Sequence, residues 1–202
     1  GIDLGSTPLE QISDVDALAV RYSHPRWIVK ALRQALIVNG RSESDLISLL
    51  EANNRPPAVS ACARPGCISP KELIDQANRV GEGAKLGRLS PWAVTLHGGD
   101  PGRIEAIRDS RAGVEDEGSQ LCAGILAHAP LKGRDTNWLD MCAGPGGKAA
   151  LLGALAAQRG ATLLANEVSH HRTKLVAVSV KALPSAVVSR RTGDGRDFGE
   201  HE

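Results

Sequence analysis

The sequence is poor in aromatic side chains. Among 202 residues only Tyr22, Trp27, Trp92, Trp138 and Phe198 are aromatic. That scarcity excludes a sheet that stacks several bases on exposed rings, and it leaves the core to Leu, Val, Ile and Ala. An excess of one charge is also missing: 24 Lys and Arg stand against 23 Asp and Glu, a net of +1. No overall field draws the chain to nucleic acid or to an anionic membrane. No stretch approaches the ~18 apolar residues that a membrane span needs. The first residues, Gly1-Ile2-Asp3-Leu4, have neither the basic start nor the apolar run of a secretory signal. Cysteine is scarce as well. Cys62, Cys67, Cys122 and Cys142 are too few to staple a chain of this length. Cys62 and Cys67 flank the turn Arg64-Pro65-Gly66 as half a zinc site would, but no second pair completes it. The expectation is free thiols, no metal, no membrane association and a cytoplasmic location.

What is present is ordinary globular composition, 42% hydrophobic and 23% charged. The length suits one large domain or two small ones. Residues 1–130 hold 14 Lys and Arg against 16 Asp and Glu, whereas residues 131–202 hold 10 against 7, a small asymmetry that suggests two units. In the first part, Trp27, Ile28, Ala31, Leu32, Ala35 and Leu36 recur at helical spacing and Asn39-Gly40 ends the run. A second helix opens at Ser42 or Ser44 and stops before Pro56-Pro57. Ser69-Pro70-Lys71-Glu72 is a capping box with proline at the first helical position, which predicts a helix from Pro70 to about Arg79. Ala58–Ala63 and Pro91–Leu96 read as strands, and Glu117 to about His128 as a helix. In the second part the rhythm changes. Strands at Trp138–Cys142, Ala161–Ala165 and Ala186–Arg190 alternate with helices at Lys148–Arg159 and Ser169–Leu183. That β-α-β-α-β pattern predicts a parallel sheet with crossover helices.

The informative segment is Asp140-Met141-Cys142-Ala143-Gly144-Pro145-Gly146-Gly147-Lys148, between the first of these strands and its helix. Glycines there let the chain turn sharply and approach a ligand, and the helix start offers free N–H groups. Gly144-x-Gly146-x-x-Ala149 fits the loose spacing of a nucleotide-binding turn. A phosphate-cradling P-loop does not fit, because Cys142 stands where its first glycine is needed and Ala149 where its Ser or Thr is needed. Glu167 follows the second strand about 20 residues after the glycines, where a carboxylate accepts hydrogen bonds from ribose hydroxyls. Asp194 follows the third strand, within reach of an adenine edge or amino group. Gly146 is expected to face the ligand cleft, so that a branched side chain there would block binding and spare the fold. These features alone do not separate S-adenosylmethionine from a nicotinamide dinucleotide.

The same segment resembles the first motif of the Sun-type (Fmu-like) RNA cytosine-C5 methyltransferases, Asp-x-Cys-Ala-Ala-Pro-Gly-Gly-Lys, with Gly144 in place of the usual alanine. Arg21-Tyr22-Ser23-His24-Pro25-Arg26-Trp27, Glu51-Ala52-Asn53-Asn54-Arg55-Pro56-Pro57 and Val114-Glu115-Asp116-Glu117-Gly118-Ser119-Gln120 resemble further segments of that family, in order. The likeness is greatest to the bacterial enzyme for small-subunit ribosomal RNA. It implies an α/β fold in which residues 116–202 form the first half of a Rossmann-like S-adenosylmethionine-dependent methyltransferase domain. A small α+β RNA-binding module at 1–115 would precede it. It also implies that Cys142, Ala143, Gly144, Pro145, Gly146, Gly147 and Lys148 wrap the cofactor's methionine end, that Glu167 takes the ribose and that Asp194 holds the adenine. RNA, in particular ribosomal RNA, is the implied partner, with no obligate protein partner evident. Arg21, Arg26, Lys30 and Arg33 could touch phosphates or form a solvated helix face.

Family members activate cytosine with a thiolate from a Thr-Cys or a Pro-Cys segment. None of the four cysteines lies in either, so no catalytic residue is assigned and the chain is expected to be a piece of a longer protein. Cys142 reads as a small buried residue of the turn. Two other readings stay open: a nicotinamide-dependent oxidoreductase, and a non-catalytic RNA-binding protein that keeps the methyltransferase fold.

Overall fold

The structure, a computed structural model, describes residues 15–199. The chain divides into two compact units, with the break between Pro57 and Ala58. The first unit is helical: α1 (Val15–Arg21), α2 (Arg26–Val38) and α3 (Glu43–Asn53). Pro25 precedes α2 and Asn39 closes it. Ser42, not Ser44, opens α3 through a capping box with Asp45, whose carboxylate accepts the Ser42 N–H at 2.8 Å. Leu18, Val29, Leu46 and Leu50 are sealed inside this unit. Leu46 and Leu50, four residues apart, lie on one face of α3.

The second unit contains two sheets. Strands β1 (Val59–Ala63), β2 (Ala84–Leu86), β3 (Ala93–Leu96) and β4 (Ala112–Val114) form an antiparallel sheet in the order β2-β3-β1-β4. Helices α4 (Pro70–Arg79) and α5 (Glu105–Arg108) pack on it. Leu73 and Ala77 of α4 meet Ala61, Val94 and Leu96 of the sheet in one apolar cluster. Helix α4 begins as its sequence requires, with Ser69 accepting the Glu72 N–H and Glu72 accepting the Ser69 N–H.

Helix α6 (Glu117–Ala127) then leads to β5 (Asn137–Asp140), α7 (Gly147–Arg159), β6 (Thr162–Glu167), α8 (His170–Ser179) and β7 (Val188–Thr192). The three strands are parallel in the order β5-β6-β7, as the alternating pattern predicts. Helix α7 is buried from Ala149 to Ala156 without interruption. Small residues let it pack between α6 and the sheet, which explains how a core with so few aromatics closes.

The division expected at 115/116 falls inside the second unit, between β4 and α6. Polar contacts cross that point. Buried Arg64, just after β1, donates to the carbonyls of Ser110 and Ser179, the second at 2.5 Å. Ser110 Oγ donates to the Val178 carbonyl at 2.8 Å and Lys181 Nζ to the Arg108 carbonyl at 2.6 Å. These bonds tie the antiparallel sheet to the end of α8. Elements α1, β2, α5 and β4 had no counterpart in the sequence reading; β2, α5 and β4 have only three or four residues each and depend on their neighbours. Among the described residues no helix is long and apolar enough to cross a membrane.

Candidate cofactor site

The glycine turn leaves β5 and is held from beneath by the end of β6. Asp140 Oδ1 accepts the Cys142 N–H at 3.1 Å, which starts the turn. The Ala143 N–H donates to the Asn166 carbonyl at 2.8 Å, and Glu167 Oε2 accepts the Gly144 N–H at 3.0 Å. Asn166 is fully buried, and its amide donates to the Met141 carbonyl at 3.1 Å and to the Gly193 carbonyl at 3.0 Å. One side chain thereby joins the exits of β5 and β7 to the end of β6. From α8, Arg172 donates to the Gly144 carbonyl and Ser179 Oγ donates to the Pro145 carbonyl at 3.2 Å. The Gly144–Pro145 bond is cis.

Two glycines of the turn are required by contacts inside the protein. A Cβ on Gly144 would lie 2.3 Å from Glu167 Oε2 and 2.9 Å from Arg172 Nε. Alanine, the residue of the resembling motif, would push the Glu167 carboxylate out of this position. Gly146 has φ +121°, and its Cβ would lie 2.5 Å from Ser179 Cβ. This corrects the expectation that the missing Gly146 side chain faces the ligand cleft. It faces α8, because the turn is pressed against that helix, so a larger residue there strains the fold itself.

Two clefts open on either side of Cys142. One, of about 460 Å³, is lined by Met141, Cys142, Glu167, Val168, Arg172 and Asp194–Arg196. The other, of about 200 Å³, is lined by residues 114–116, Ser119 and the whole turn from Cys142 to Lys148. All nine residues picked out in the sequence therefore line one cleft or the other. Cys142 is exposed at the lip between the two. It is not the buried small residue that was expected, because the turn lifts it out of the sheet.

The carboxylates of the larger cleft are already engaged. Glu167 is only 3% exposed, with Oε1 accepting the Ser169 N–H at 3.0 Å and Arg172 Nε 3.7 Å from Oε2. The Ser169 N–H, then that of Gly144, and the Arg172 charge hold its carboxyl below the usual range. Asp194 is held by Arg196 at 2.5 Å, and these hydrogen bonds draw its pKa down to about 2. Both groups are therefore anions; the Glu167 oxygens, each accepting one backbone N–H, keep lone pairs for a ligand, whereas each Asp194 oxygen already accepts two contacts from Arg196.

The smaller cleft contains a carboxylate of the opposite character. Glu115 Oε1 is sealed from solvent and has no hydrogen-bond partner. Burial pushes its pKa up to about 7, against the pull of Lys148 and Arg64. Nothing in its residue type singled it out, although it lies in the Val114–Gln120 segment already noted. Asn166, Arg172 and Ser179 were also missed. A polar Asn in an otherwise apolar strand was the one signal available for any of them. Of the four cations considered for phosphate contact, Arg26 pairs with Asp16 and Arg33 with Glu43 at 2.6 Å, while Lys30 is exposed. That neutralisation weakens the cluster. Among the described residues no group of His, Cys, Asp and Glu could hold a metal.

The family described as 16S rRNA methyltransferase RsmB/F matches residues 128–201. A Mycobacterium tuberculosis protein named as a methyltransferase is 44% identical over 177 residues, 88% of this chain and 37% of its own length. A Bacillus subtilis protein named as a ribosomal RNA small subunit methyltransferase B is 28% identical over 197 residues, 97% of this chain and 42% of its own length. The chain thus spans about two fifths of these relatives. A methyltransferase homologue from Pyrococcus horikoshii superposes with a TM-score of 0.68 at 19% identity, over 91% of this chain and 57% of that one. The NSun6 protein of the same organism, solved with SFG, gives 0.66 at 11% identity, over 78% of this chain and 64% of that one. These structural likenesses establish a Rossmann-like methyltransferase fold. Residues 128–201, where the glycine turn, Glu167 and Asp194 all lie, are thus similar to the RsmB/F methyltransferases.

Proposed function

We propose that this chain is the cofactor-binding portion of an S-adenosylmethionine-dependent RNA methyltransferase that modifies C5 of a cytosine in ribosomal RNA. The observation that carries the reading is the pair of clefts meeting at Cys142. One offers two anionic carboxylates at successive strand ends, and the other offers a cation, Lys148, beside the start of α7. A nucleoside joined to an amino acid has that two-ended chemistry. Glu167 accepts the ribose hydroxyls, Asp194 the adenine amino group, and Cys142 through Lys148 enclose the methionine end. When bound, S-adenosylmethionine supplies the methyl group carried on its sulfonium. The structural neighbour NSun6 was solved with SFG, an analogue of that cofactor, which supports the reading.

A nicotinamide dinucleotide suits the smaller cleft poorly. Its pyrophosphate would sit at the start of α7. There the Glu115 carboxylate lies so close that a Cβ on Gly147 would be 3.3 Å from Oε1, which leaves little room for a pyrophosphate. Relatives named as ribosomal RNA methyltransferases support the RNA substrate and, with it, a cytoplasmic location. Residues 1–115 are assigned to the RNA-facing side on family resemblance. The test is transfer of labelled methyl from S-adenosylmethionine to unmodified small-subunit ribosomal RNA by the intact protein. Label at C5 of cytosine is expected. Label on another atom, or none, would overturn the assignment.

A further inference from the structure

Three acidic residues follow one another after β4, and two of them already have tasks. Asp116 caps α6, its Oδ1 accepting the Ser119 N–H at 2.9 Å. Glu117 accepts the N–H groups of Arg88, Leu89 and Ser90 at 3.2, 2.6 and 2.9 Å. Glu115 is different. Its backbone is fixed, with its N–H donating to the Ser60 carbonyl at 3.0 Å and its carbonyl accepting from the Gln120 amide at 2.8 Å. Its carboxylate is aimed across the cleft at the turn, with Cδ 3.2 Å and Oε1 3.3 Å from where a Gly147 Cβ would stand. Oε1 has neither solvent nor a partner. A carboxylate oxygen left so costs stability unless something else completes it.

The opposite wall names what completes it. Lys148 lines the same cleft. The N-cap of α7, Gly146, has no side chain to cap with, so no side chain of its own covers the first N–H groups of that helix. An anionic end is drawn toward Lys148 and α7, and a cationic end toward Glu115. The cleft is therefore complementary to a zwitterion whose two charges are adjacent, which is the chemistry of a free α-amino acid group. We propose that Glu115 recognises the α-ammonium group at the amino-acid end of the cofactor, and so makes the protein select a ligand that carries an intact amino acid.

This inference rests on the cofactor reading above, and the experiment separates the two. The intact protein and its Glu115→Gln variant are titrated calorimetrically with S-adenosylhomocysteine, with the analogue of it that lacks the α-amino group, and with 5′-methylthioadenosine. The last of these has no amino-acid end. The wild type should bind S-adenosylhomocysteine roughly 10–100-fold more tightly than the deaminated analogue, the range of a charge-assisted hydrogen bond. Glu115→Gln should remove that preference and leave 5′-methylthioadenosine binding unchanged, which also shows that the variant is folded. If Glu115→Gln keeps the full preference, the inference fails while the cofactor reading stands. If the variant weakens all three ligands equally, Glu115 is a structural support and the inference also fails. If the wild type binds none of them, both fall together.

Discussion

The two clefts beside Cys142 hold their carboxylates in opposite ways. In the larger cleft, Glu167 and Asp194 are satisfied before any ligand arrives, by backbone N–H groups and by Arg196 respectively. Their pKa values are lowered in consequence. In the smaller cleft, Glu115 Oε1 is sealed without a hydrogen-bond partner and the residue's pKa is raised. The difference teaches that preorganisation and strain can serve the two ends of one ligand. A neutral nucleoside needs fixed acceptors that keep their charge. A cationic group can instead be met by a carboxylate that the fold holds at a cost, because the ligand's own charge relieves it.

The comparison breaks most severely at the turn that both clefts share. Gly146→Val combines a φ of +121° with contact against Ser179 and the Val176 backbone. Backbone strain of ~1–3 kcal/mol and overpacking of similar size suggest a loss of about 2–5 kcal/mol of stability. Denaturant titration should show it, together with loss of S-adenosylhomocysteine binding. A variant of normal stability would mean that the turn does not pack on α8 as described.

A smaller effect is expected at Glu167. Glu167→Gln retains one acceptor oxygen but presents an N–H₂ group to either the Gly144 or the Ser169 N–H. The ligand loses a charge-assisted bond, worth about 1.5–3 kcal/mol or roughly 10–100-fold in affinity. Unchanged calorimetric affinity for S-adenosylhomocysteine would remove Glu167 from the ribose.

A third effect, read as a dependence on pH, sharpens the contrast. Because the folded Glu115 pKa is about 7 against an ordinary value near 4.5, the native state binds more protons than the unfolded chain between those values. Ligand-free stability should therefore fall as pH rises through that window. The charged groups facing Glu115 are Lys148 on α7, Arg64 after β1 and its neighbour Asp116. The two cations oppose the shift without cancelling it. Glu115→Gln should raise the ligand-free melting temperature relative to wild type by more at pH 8 than at pH 4.5. An equal difference at both pH values would show that Glu115 carries no such penalty.

What the sequence disclosed was local. The Ser69–Glu72 capping box, the alternation of strands and helices after residue 137, and the glycine turn each depend on residues within one or two turns of each other, and all appear where expected. Glu167 and Asp194 were legible because strand ends in a parallel sheet fall on one edge. The direction of Gly146 was not, because Ser179 lies 33 residues further on and only the docking of α8 brings it near. Glu115 was hidden for a similar reason. Its isolation shows only once Asp116 and Glu117 are seen to be occupied and α7 is seen to bring Gly147 against it. Polar links from Arg64, Ser110 and Lys181 likewise cross the division expected at 115/116.

The central claim is that the clefts at Cys142 bind S-adenosylmethionine. A thermal-shift titration of the intact protein with S-adenosylhomocysteine and, separately, with NADH tests it most directly, since a ligand of the native state raises the melting temperature with concentration. The account predicts a saturable rise with S-adenosylhomocysteine and none with NADH. A rise with NADH and none with S-adenosylhomocysteine would contradict it.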